Sequence, residues 1–136
     1  MTVNLVYPAL ALIFWIFIVG LILIKRRRDA LLSRAVRPEQ VNVSTEAYPI
    51  PARLASANFS NQFESPVIFF ALIMLAMEVK ATSHLMTLLA WLYVASRIVH
   101  TLIHIGPNKL PLRGAIYGVG MVALLGLWFG VVLAVV

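Results

Sequence analysis

Cysteine is absent from the 136 residues, which excludes disulfides, thiolate metal sites and a protein thiol nucleophile. Any thiol chemistry therefore arrives with a ligand. Charge is scarce as well. Asp, Glu, Lys and Arg make up 12% of the chain, with five acidic residues in all, against 62% hydrophobic. A chain so poor in charge belongs to the polytopic membrane class and not to the soluble globular one. The formal net charge is +6, but the cations cluster beside apolar runs. That is the pattern of membrane topology and headgroup contact, so no nucleic-acid partner is expected.

Residues 4–24 carry no charge, and about 20 apolar residues cross a ~30 Å hydrocarbon core. The positive charges follow this run and no small-residue cleavage site is present, so it reads as an uncleaved helix and not as a signal peptide. A basic connection, 25–55, follows, holding Lys25, Arg26, Arg27, Arg28, Arg34 and Arg37 and the turn-rich Tyr48-Pro49-Ile50-Pro51. Further helices are predicted at about 56–79, 84–105 and 112–136, parted by short turns. The fold class is thus all-α: an integral membrane four-helix transmembrane bundle, one membrane domain over 1–136. Lys and Arg crowd the first and third connections, whereas the second holds only Lys80. The positive-inside rule then places both basic loops in the cytoplasm and both termini outside it.

The uninterrupted apolar part of helix two, Pro66–Met77, is only about 12 residues or roughly 18 Å long. To span, the helix must take in polar turns, where Asn58, Asn61 and Glu64 recur at helical spacing. A carboxylate at that depth is costly unless it faces a partner or a wet cavity. On helix three, Arg97, His100 and His104 share one face; on helix four, Arg113 and Tyr117 stand one turn apart. Antiparallel helices put Glu64 and Arg97 at similar depth, so they are expected to face each other. That pair can be purely structural, and His104 and Arg113 can simply snorkel to headgroups. His100 and His104 lack a third ligand, so no metal site is expected. Gly114, Gly118, Gly126 and Gly130 form a four-residue ladder that predicts one tight packing seam.

The segments NQFESP (61–66) and RIVHTLIHIGPNKLPLRGAIY (97–117) resemble the MAPEG family, the membrane-associated proteins of eicosanoid and glutathione metabolism. The likeness covers all four helices and the basic first loop. Its specific parts are the Asn-x-x-Glu of helix two and the Arg-x-x-His of helix three. The resemblance implies a homotrimer that takes glutathione as co-substrate between adjacent subunits, on the cytoplasmic side. It implies a transferase or peroxidase acting on lipophilic electrophiles dissolved among the membrane lipids. By motif position, Asn61 and Glu64 hold the tripeptide and Arg113 stabilises its thiolate. His100 and Tyr117 line the pocket, with Arg97 and His104 as further ligand-binding candidates. Eicosanoid-synthesising relatives carry arginines one and two turns before the helix-two Glu, where this chain has Ser60 and Ala57. A helix-three tyrosine is replaced by His104, and a serine after the helix-four arginine by Gly114. The cations left for glutathione's carboxylates are Arg53 or the Arg26–Arg28 cluster of a neighbouring subunit. These departures resemble a bacterial branch more than the prostaglandin or leukotriene enzymes. The alternative is a non-catalytic member that binds a lipid or partner in the same cavity. A four-helix drug exporter would need its membrane acid in helix one, which has none.

Overall fold

The computed structural model describes residues 4–136 and is all-helical among them. Four segments are long and apolar enough to cross a membrane: Val6–Leu32, Ile50–Glu78, His84–Ile105 and Leu110–Val135. The first is a single helix, α1 (Val6–Leu32). Asn4 opens it by accepting the Val6 N–H at 3.0 Å, and Pro8 sits in the first turn, where a missing N–H is tolerated. Residues 25–32, expected as loop, instead prolong α1 by two turns. They are mostly good helix formers, and Lys25 pairs with Asp29 at 2.7 Å on the exposed side. On the inner side Arg26 donates to the Pro51 carbonyl at 3.0 Å and to the Ile105 carbonyl at 3.1 Å. The helix stops where Arg34 turns left-handed (φ 56°) and the Ala35 N–H closes onto the Ala30 carbonyl at 3.1 Å.

A single turn, α2 (Pro38–Val41), and a small apolar cluster of Ala30, Val36, Tyr48 and Ala52 fasten the connection to α1. The second crossing segment is not the one helix, 56–79, that spacing predicts. It begins earlier as α3 (Ile50–Ser60), tightens into a 3-10 turn at Asn61–Phe63, and restarts as α4 (Ser65–Glu78). Pro51 suits the first turn of α3. Pro66 breaks the rod: it offers no N–H to the Gln62 carbonyl and its ring crowds that carbonyl. Glu64 accordingly leaves the helical region, with φ −99° and ψ −103°.

α5 (His84–Ile105) starts at a Ser83 cap whose hydroxyl accepts the Met86 N–H at 3.3 Å. It shares its longest interface with α6 (Leu110–Val135). The core runs through Leu12 of α1, Phe69 and Ile73 of α4, Tyr93 of α5 and Leu127 of α6. Phe69 stacks on Tyr93 with ring centroids 4.7 Å apart.

The glycine ladder does not make the single seam its spacing predicts. A Cβ on Gly126 would lie 2.9 Å from Leu89 Cδ1, and one on Gly130 would collide with Met86 Sδ. Gly120, off the ladder, also admits α5: its Cβ would meet Ser96 Oγ at 2.6 Å. Gly114 and Gly118 meet nothing within 4 Å. Helical phase explains the split, because four residues overshoot a turn by about 40° and the ladder winds off the α5 face.

Candidate functional site

α5 buries Arg97, His100, Thr101 and His104 toward the basic end of the bundle. Arg97 is 2% exposed. Its Nη2 donates to the Asn61 carbonyl at 3.0 Å, and its guanidinium lies over the Tyr117 ring, 5.8 Å from the centroid. At a helix break carbonyls lose their regular donors, and Arg97 takes one of them. The His100 ring stands 5.6 Å from His104 and 5.8 Å from Tyr117. Asn61 Nδ2 lies 3.5 Å from His104 Nδ1. Three crossing segments thus bring Asn61, Arg97, His100, His104 and Tyr117 together.

Beneath them runs a second polar layer. Gln62 Nε2 donates to the Asn58 carbonyl at 3.0 Å, Thr101 Oγ1 donates to Asn58 Oδ1 at 3.3 Å, and Trp15 Nε1 donates to Thr101 Oγ1 at 3.4 Å. Satisfaction is incomplete: Asn58 Nδ2, Gln62 Oε1, Arg97 Nε and His100 Nδ1 are buried without a partner. Each such atom costs about 1–3 kcal/mol. Stability is given up in this region, as at many functional sites.

Glu64 does not join the cluster. Glu64 and Arg97 form no direct ion pair; among the described residues the ion pair present is Lys25–Asp29. Glu64 is exposed on the outer face beside Phe63 and Val67. The break ahead of Pro66 divides the polar stripe, so that Asn58 is buried, Asn61 is half-buried and Glu64 faces outward.

Arg113 is half-buried one turn before Tyr117 on α6. Its Nη1 donates to Asn108 Oδ1 at 2.7 Å. Asn108 escaped the sequence reading, although an Asn just past a helix end is a known left-handed position. Its φ is 48°, and its N–H reaches the Ile103 carbonyl at 2.8 Å. That turn aims its carboxamide at Arg113. Gln62 and Thr101 were likewise missed; Thr101 lies one turn beyond Arg97, on the same face of α5.

A model of the MAPEG family matches residues 5–133. No curated protein and no solved structure matches the chain.

Proposed function

Because the chain belongs to the MAPEG family, whose members are four-helix membrane bundles, we propose that it is a glutathione-dependent transferase or peroxidase acting on lipophilic electrophiles. In this reading it is a homotrimer with its basic loops cytoplasmic, and glutathione binds between subunits at the polar end. The supporting observation is the gathering of Asn61, Arg97, His100 and Tyr117 from three crossing segments. In this reading Glu64 and Asn61 serve two groups of the tripeptide. Glu64, exposed and without an ion-pair partner among the described residues, is left for its ammonium group. The Asn61 side chain supplies a neutral hydrogen bond.

Arg113, held by Asn108, is the group set beside the thiol. A guanidinium near sulfur favours the thiolate, and its proton passes to water. The sulfur then attacks an electrophilic carbon, forming a C–S bond as the leaving group departs with the bonding pair. Gly114 and Gly118 leave open space on α6 beside Arg113 and Tyr117, where an apolar electrophile can approach from the lipid.

A second reading, a non-catalytic member holding a lipid or partner at this end of the bundle, draws on Ala57 and Ser60, which place no cation on that stretch of α3. Titration of detergent-purified protein with glutathione separates the two. Saturable thermal stabilisation with thiolate absorbance in the ultraviolet is expected. A flat response up to millimolar thiol would favour the non-catalytic reading.

A further inference from the structure

A cleft of about 760 Å³ opens between the basic end of α1, the connection and α3. None of Asn61, Arg97, His100 or Tyr117 lines it, but Ala57 and Ser60, which stand where some relatives carry arginines, do. Its walls are of two kinds. Leu23, Leu54 and Phe59 make an apolar floor, and Arg27 and Arg53 border it. Arg27 is fixed on both sides. Its Nη2 donates to Ser56 Oγ at 2.9 Å, and its guanidinium lies over the Tyr48 ring, 5.4 Å from the centroid. Ser56 is itself oriented by donating to the Ala52 carbonyl at 3.0 Å. So held, Arg27 still has its Nε buried without a partner. Arg53 is exposed and forms no ion pair among the described residues. Glu46 lines the cleft too but pairs with neither arginine. Two cations thus outweigh one carboxylate.

The order of these walls matters. Leu23 lies one turn from Arg27 toward the middle of α1, and Phe59 lies beyond Arg53 along α3. The cleft therefore passes from cationic to apolar in the direction a lipid leaflet does. We propose that it binds one anionic phospholipid, the phosphate between Arg27 and Arg53 and an acyl chain along Leu23, Leu54 and Phe59. Inorganic phosphate or glutathione would satisfy the arginines and leave the floor uncovered. A zwitterionic headgroup would bring its own cation toward two others.

The test is native mass spectrometry of the full chain released from nanodiscs of equal phosphatidylglycerol and phosphatidylcholine. Wild type retains phosphatidylglycerol selectively, and R27Q/R53Q lowers its affinity roughly tenfold or more, as two cations at a headgroup predict. R28Q/R34Q, with the same charge change outside the cleft, leaves retention unaltered, and R27K/R53K keeps most of it. Should R27Q/R53Q fail to fold, R53Q alone reads the same claim, because the Arg53 side chain has no ion-pair partner to lose among the described residues. Equal retention of both lipids, or an equal loss in R28Q/R34Q, overturns the proposal. So does displacement of the lipid by millimolar glutathione, which would assign the arginines to the thiol substrate.

Discussion

At the basic end, the α3–α4 break, α5 and α6 meet through Asn61, Arg97, His104 and Tyr117. At the other end α5 and α6 meet through Met86, Leu89, Gly126 and Gly130. In hydrocarbon an apolar side chain gains little by leaving lipid, so the second end is held by close approach and dispersion. The first is held by directional bonds and leaves several buried polar atoms without partners. The contrast is practical. The apolar end sets the α6 glycines against the ends of Met86 and Leu89, whereas the basic end has open space at Gly114 and Gly118 and depends on its polar partners.

Five substitutions test that division. Gly130→Leu should do most harm, costing about 3 kcal/mol by overpacking against Met86; thermal unfolding in detergent reads it, and an unchanged midpoint would remove the close-packing claim. Arg97→Leu should cost about 2 kcal/mol, the penalty of stranding the Asn61 carbonyl. Its partner test is Glu64→Gln, which should leave the midpoint alone, since Glu64 faces outward; a matching loss would restore the direct pair. Gly118→Ala should raise stability by about 0.5–1 kcal/mol, because Ala is the better helix former and its Cβ meets nothing within 4 Å among the described residues. The same variant should keep saturable stabilisation by glutathione, because the open space on α6 is where the electrophile approaches. The smallest measurable loss belongs to Lys25→Ala, about 0.3–0.5 kcal/mol for an exposed pair one turn apart, and it should vanish in high salt.

Much of this division was legible before the structure. Four apolar runs, the charge bias between connections and the polar face of α5 follow from residue order alone. The polar residues at 97, 100 and 104 needed only helical spacing to be placed together. Three things were not legible. Spacing rules assume an unbroken helix, and Pro66 interrupts the one on which Asn58, Asn61 and Glu64 were to be aligned. The partner of Arg97 is then a backbone carbonyl, which no side-chain pattern announces. Similarly, a four-residue glycine ladder names a stripe on α6 but not the point where the stripe winds off its neighbour. The extension of α1 past Lys25 was hidden because charged residues read as loop, although their helical propensity is high.

Arg26 also orders the completion of the molecule as it is made. Its two acceptors lie 25 and 79 residues further along the chain. The Pro51 carbonyl is available once α3 has emerged, but the Ile105 carbonyl exists only after the whole of α5 has been inserted. One side chain thus ties α1 to the start of α3 and to the last residue of α5, the point from which the chain turns toward Arg113 and Tyr117.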